Sequence, residues 1–238
     1  MKNIDLWHGD CLKLMCNILD KVVDMILCDL PYGALNKQNK NAHWDCPIDL
    51  QRLWKEYSRI IKDNGVIVLF GNGMFTADLM KSNSNLWRYN LVWDKSAKTG
   101  FLNANKMPLR QHEDIIVFYK ELPVYNPQMT KCDASRRNHS KGNVLNSFRN
   151  NCYGNFAGMQ SVISDEKYPT SIISIPKEHC NGKFFHPNQK PVKLLELLIK
   201  TYTDEGELIL DNTMGSGSRG VAGLNTNRRF IGIELEKK

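Results

Sequence analysis

No apolar run in this 238-residue chain approaches the roughly 20 residues that a membrane-spanning helix needs. The N-terminus lacks the basic stretch and apolar core of a secretory leader, so the chain reads as cytoplasmic. Its seven cysteines (11, 16, 28, 46, 132, 152 and 180) form no C-x-x-C and no paired Cys/His spacing. That argues against a disulfide framework and a zinc site, and no metal is expected. No segment repeats, which removes solenoids and propellers. Acids are the scarcer charge, 25 against 32 Lys and Arg, and the resulting +7 favours a polyanionic partner.

What is present suits a soluble globular protein of one domain, or of one domain carrying an insertion, with 42% apolar and 24% charged residues. Near-continuous apolar runs at 22–30, 65–71, 114–120, 206–212 and 228–235 read as strands covered on both faces. Helical spacing appears at Leu50, Leu53, Trp54, Tyr57, Ile60 and Ile61, and again from Pro191 onward. Strands alternating with helices predict an α/β sandwich with a mostly parallel sheet. Residues 121–188 break the rhythm with many Asn, Ser, Lys and Arg. Within them, Arg136, Arg137, Lys141 and Arg149 form a basic stretch that reads either as a solvated loop or as a segment lying on phosphates.

The stretch "ELILDNTMGSGSRG" (207–220) is a strand, an acid, a small-residue turn and a helix start. Gly215, Gly217 and Gly220 spell G-x-G-x-x-G, and Glu234 follows at the end of the next strand, where it can accept from ribose hydroxyls. The chain offers no second mononucleotide half beyond Glu234, so a ligand with one nucleoside fits better than a dinucleotide. Asp211 beside the loop would repel a pyrophosphate but attract an ammonium. S-adenosylmethionine has an ammonium, a carboxylate and no phosphate, which points to methyl transfer. "NIDLWHGDC" (3–11) supplies a strand to lie beside the Glu234 strand if the fold is circularly permuted. Asp10 and the Cys11 N–H would then face the adenine of the cofactor.

A second strand, "MILCDLPYG" (25–33), also stops on an acid at its carboxyl end, where ligands of open α/β sheets bind. An exocyclic amine of a nucleobase is a poor nucleophile because its lone pair is delocalised into the ring. The Asp29 carboxylate and the Leu30 carbonyl can accept its two N–H bonds and localise that pair. Pro31 biases Leu30 toward extended backbone, and Tyr32 offers a flat face to an extruded base. The polar, basic stretch 33–45 reads as a flap over that base.

In these motifs the chain resembles the permuted, beta-type amino-methylating DNA methyltransferases, in which the catalytic motif precedes the cofactor motif. Their Asp-Pro-Pro-Tyr is similar to Asp29-Leu30-Pro31-Tyr32. Their Asp-Pro-Phe-x-Gly-Ser-Gly-Thr is similar to Asp211-Asn212-Thr213-Met214-Gly215-Ser216-Gly217-Ser218, with Thr213 standing where the family has Phe. Gly9-Asp10, Gly232 to Glu234, and Lys190-Pro191 match further motifs in the same order.

The resemblance implies a permuted Rossmann-like methyltransferase fold: a catalytic half over 1–120, a target-recognition insert over 121–185 and a cofactor half over 186–238. It implies a cofactor site of Asp10, Cys11, Lys190, Asp211, Thr213, Gly215, Ser216, Gly217 and Glu234, with Lys190 on the methionine carboxylate. It implies transfer to adenine N6 in double-stranded DNA, within restriction–modification; a homodimer is compatible with it. N4-cytosine methylation, methylation of RNA or a protein amide, and an inactive DNA-binding remnant shortened at its C-terminus stay open as alternatives.

Overall fold

The computed structural model describes residues 3–33, 45–131, 165–177 and 189–236. Residues 34–44 of the expected flap lie outside them. So do 132–164 and 178–185 of the expected recognition insert, with Arg136, Arg137, Lys141 and Arg149.

The strands are β1 (Ile4–His8), β2 (Val23–Cys28), β3 (Ile61–Gly71), β4 (Trp87–Thr99), β5 (Arg110–Tyr119), β6 (Thr130–Lys131), β7 (Glu166–Lys167), β8 (Ile172–Ser174), β9 (Leu208–Asp211) and β10 (Arg229–Glu234). The helices are α1 (Cys11–Leu14), α2 (Leu50–Ile60), α3 (Met74–Ser82), α4 (Val192–Tyr202) and α5 (Ser218–Asn225). Among the described residues the main sheet has the order β1-β10-β9-β2-β3-β5-β4-β8. Its pairs are parallel except those β5 makes with β3 and β4. The expected α/β sandwich with a mostly parallel sheet is the fold found.

The alternation of side chains along each strand divides the core in two. Ile26 and Cys28 of β2 join Ile67 and Leu69 of β3 on one face, packed under Met15, Leu53, Trp54, Tyr57 and Leu79. Met25 and Leu27 join Val66 and Val68 on the other, under Leu194, Leu195, Leu198, Ile199 and Ala222. Burial on both faces is why β2 reads as one unbroken apolar run. Helix α2 begins where Asp49 accepts from the backbone N–H groups of Gln51 and Arg52, a side-chain cap for two otherwise unpaired donors.

Strand β1 lies parallel beside β10, Ile4 opposite Phe230 and His8 opposite Glu234. The N-terminal strand therefore continues the sheet past the end of the cofactor half. Strand β4 was not expected from the sequence. Its half-buried residues include Asn90 and Asp94, so no apolar run marks it.

The chain divides into two compact units, Met1–Asn126 with Thr170–Lys238, and Pro127–Pro169. In the second, β6 pairs antiparallel with β7, Thr130 opposite Lys167 and Lys131 opposite Glu166. No helix among the described residues is long and apolar enough to cross a membrane.

Candidate active site

Strands β2 and β9 are neighbours, with Ile26 opposite Leu210, so both end at the same edge of the sheet. Two turns leave that edge side by side: Asp29-Leu30-Pro31-Tyr32 after β2, and the Asn212–Gly217 loop after β9. The Thr213 hydroxyl joins them, donating to the Asp29 carbonyl over 3.2 Å. Deeper down, the Cys28 thiol and the Tyr57 hydroxyl both donate to Asn212 Oδ1, at 2.8 and 2.5 Å. Burial pushes the Cys11 thiol up and the Cys28 thiol well up, so neither is a ready nucleophile.

The glycine loop folds back over β10. The Met214 N–H donates to the Ile233 carbonyl over 2.9 Å, and the Gly215 N–H to Glu234 Oε2 over 2.7 Å. Gly232 makes this approach possible, because a Cβ there would sit 2.5 Å from Met214 Sδ and 2.7 Å from the Phe230 ring. Gly215 and Gly217 both hold positive φ, and a Cβ on either would meet nothing within 4 Å. The loop therefore presents bare backbone to open space, the surface a nucleoside ligand needs, and Ser216 stands exposed on it. Glu234 spends one lone pair of each oxygen on Gly215 and Glu236 N–H groups and keeps one on each for a ligand. Asp10 caps α1 by accepting from the Leu12 N–H over 2.9 Å, which leaves the Cys11 N–H in the first helical turn without an intrahelical partner.

Around Asp29 the charges interlock. Lys190 Nζ lies 2.7 Å from Asp29 Oδ2 and 3.0 Å from Glu113 Oε2, the latter outside hydrogen-bonding geometry. Lys95 pairs with the other Glu113 oxygen at 3.1 Å. Arg219, on the first turn of α5, donates to Asp211 Oδ2 over 3.1 Å, and its second nitrogen stands 3.9 Å from Asp29. Burial opposes charge on Asp29, but the Lys190 ammonium and the Arg219 guanidinium outweigh it and hold that carboxyl below its ordinary range. At Asp211 burial wins and pushes the carboxyl up despite Arg219. Tyr32 donates to Asp29 Oδ1 over 3.0 Å, its hydroxyl pushed well up by burial and by the Asp29 charge. One face of its ring stacks on Phe75 of α3, centroids 4.6 Å apart.

The structure thus brings together Asp29, Tyr32, Lys190, Asp211, Thr213, Gly215 and Glu234, and Leu30 is buried beneath the turn. Sequence reasoning missed Arg219, Glu113, Lys95, Phe75 and Asn212. Arg219 had a readable signal, a cation in the first turn after a glycine loop that follows a strand-terminal acid. Asn212 stood inside the glycine-loop motif without a role of its own, and Glu113, Lys95 and Phe75 had no local signal.

The pattern that defines DNA methylases of the N6/N4 type matches residues 23–238. The chain is similar to the type II methyltransferase M2.MboI of Moraxella bovis, 27% identical over 99% of this chain and 84% of that protein. It is as similar to M2.LlaDCHI of Lactococcus lactis subsp. cremoris, 27% identical over 100% and 86%. Among solved structures, M1.HpyAVI with SAM superposes at a TM-score of 0.65, 22% identical, covering 98% of this chain and 94% of that one. The cytosine-N4-specific PvuII DNA methyltransferase does so at 0.69, 17% identical, covering 99% and 83%. At such identities the structural likeness is one of fold.

Proposed function

This chain belongs to the N6/N4 DNA methylase family, and from that premise we propose that it methylates adenine N6 of a base flipped out of duplex DNA, with S-adenosylmethionine as donor. The order of the motifs, catalytic turn before glycine loop, supports the permuted beta-type arrangement. The observation that carries the reading is the shared edge: the Asp29 turn and the glycine loop leave neighbouring strands at one edge of the sheet and are tied by the Thr213 hydroxyl.

When bound, S-adenosylmethionine supplies a methyl group made electrophilic by its sulfonium. The chain's own residues hold and orient what reacts with it. The Gly215–Gly217 backbone and Glu234 form the nucleoside cradle, with Asp10 and the Cys11 N–H at its adenine end. Lys190 has three donors, one of them given to Asp29 and none aligned on Glu113, and one of the remaining two is assigned to the methionine carboxylate. Asp211, ion-paired with Arg219 beneath the loop, would mark the ammonium end of the donor.

Asp29 and the Leu30 carbonyl accept the two N–H bonds of the target amine and localise its lone pair. Because Lys190 and Arg219 keep the Asp29 carboxyl low, it acts as an ionised acceptor and releases the product proton readily to water. Tyr32, backed by Phe75, offers its remaining face to the extruded base. The insert carrying Arg136, Arg137, Lys141 and Arg149 is assigned to target recognition on the DNA backbone. The type II methyltransferases among the chain's relatives support a restriction–modification setting.

Incubating the protein with duplex DNA and labelled donor, then digesting to nucleosides for mass spectrometry, should yield N6-methyladenine. N4-methylcytosine would move the target to cytosine, and label only on RNA or protein would remove DNA as substrate. Asp29→Ala should lower transfer at least 1,000-fold, about 4 kcal/mol of barrier, with donor affinity changed only a few-fold. Unimpaired turnover would refute the assignment of Asp29.

A further inference from the structure

The two most exposed large apolar side chains of the described residues are adjacent, at the tip of the hairpin between β4 and β5. Leu102 is 94% exposed and Phe101 82%, with Met107 at 58% on the return arm. Single exposed apolar residues are ordinary, but several at one protruding tip mark a surface meant to be covered.

The hairpin is built, not slack. Gly100 takes positive φ and opens a 3₁₀ turn over Phe101–Asn103. The Ala104 N–H bonds back to the Phe101 carbonyl over 3.0 Å, and the Met107 N–H to the Asn103 carbonyl over 3.0 Å. At the neck, the Thr99 hydroxyl donates to the Arg110 carbonyl.

Its location follows from the register. Gly71, at the carboxyl end of β3, pairs with Asp114, and Asp114 pairs with Val92. Strands β4 and β5 run on past that level to the Thr99–Arg110 pair, roughly 13 Å farther at about 3.3 Å per residue. The overhang leaves the same edge as the Asp29 turn. Its base is wired to that turn, since Lys95 of β4 pairs with Glu113 of β5, and both Glu113 and Asp29 pair with Lys190. Lys98, Lys106, Arg110 and His112 flank the apolar tip, and no acid lies between residues 95 and 112.

Cations on the arms of a hairpin with an apolar tip suit a charged backbone enclosing stacked apolar planes. We infer that the Phe101–Leu102 tip is a wedge that enters the duplex beside the target base and fills the space the extruded base leaves. Lys98, Lys106 and Arg110 hold the flanking phosphates. The inference rests on duplex DNA being the substrate. An apolar side chain in the vacated stack removes the return path of the base and so lengthens the time it faces Asp29. A second copy of this chain would cover the apolar residues equally well but would leave the basic arms unmatched.

The test relaxes a plasmid with topoisomerase in the presence of saturating protein. The wild type should leave a linking-number deficit, because a wedge unwinds the step it opens. Phe101→Ala with Leu102→Ala, exposed positions that leave the fold intact, should at least halve the deficit per bound protein and lower transfer to duplex DNA at least tenfold. Lys98→Ala with Lys106→Ala should weaken binding and its salt dependence while leaving the deficit per bound protein unchanged. No deficit with the wild type, or an equal deficit with the tip variant, overturns the wedge. So does a tip variant whose only change is loss of a dimer. A deficit that depends on the tip in a protein that methylates no DNA would instead sustain the wedge and sink the methylation reading.

Discussion

Arg219→Met tests the charge arrangement between the two turns. In the wild type the guanidinium sits 3.1 Å from Asp211 and 5.7 Å above the Phe70 ring, and Asp211 is 0% exposed. Methionine keeps much of the volume but removes the cation. Asp211 then keeps the Thr213 N–H, 3.1 Å from its Oδ1, and the neighbouring Cys28 thiol, but no cation. Breaking a buried pair by deleting one partner costs about 3–5 kcal/mol. Two Arg219 nitrogens already lack hydrogen-bond partners, at about 1–3 kcal/mol each, and the variant no longer bears that penalty. At about 1 kcal/mol for each nitrogen, a net loss of about 1–3 kcal/mol is therefore expected, equivalent to about 2–12 °C in melting temperature for a chain of this size.

The pH dependence carries a sign. Without its cation, Asp211 has a folded pKa raised further above the ordinary 3.8, so the native state takes up a proton more readily than the unfolded chain. The deficit relative to wild type should therefore be small below pH 3.8 and grow as pH rises through the raised pKa. Urea unfolding at several pH values reads this directly. Adding Asp211→Asn to Arg219→Met should recover at least about 1 kcal/mol, because no charge is then left buried alone. A loss under about 1 kcal/mol at pH 7, a deficit independent of pH, or a double variant no better than the single would each refute the reasoning.

Thr213→Val removes the hydroxyl that reaches the Asp29 carbonyl; a stability loss of about 1 kcal/mol and a lower kcat are expected, both restored by Thr213→Ser, in steady-state methyl transfer. Gly232→Ala places a Cβ against Met214 and Phe230, and should cost about 1–3 kcal/mol by overpacking while weakening donor binding in calorimetry, because the loop must lift from β10. Arg136→Ala with Arg137→Ala should lower the slope of log K against log salt for duplex DNA by about two; an unchanged slope would take that stretch off the phosphates.

The elements with one-dimensional signatures were legible. Strand β2 is apolar throughout because both its faces are covered, helix α2 carries the 3.6-residue spacing, and the glycine loop announces itself by residues that tolerate positive φ. The place of β1 beside β10 was expected on the condition that the fold is circularly permuted, because the N-terminus held a short strand that could lie there. Strand β4 was not legible, because its half-buried positions tolerate polar residues and dissolve the periodicity.

The sequence by itself determined the fold class, the two strand-terminal acids and the loop between strand and helix. Each of these rests on backbone preferences within a few residues. Only the tertiary structure decided what those acids meet. Lys190 reaches Asp29 across 161 residues of chain, Thr213 reaches the Asp29 carbonyl across 184, and Glu113 arrives on a hairpin whose register no local pattern encodes. Strand order sets such contacts, and a strand's own residues encode which faces it buries without naming the neighbour that will lie alongside.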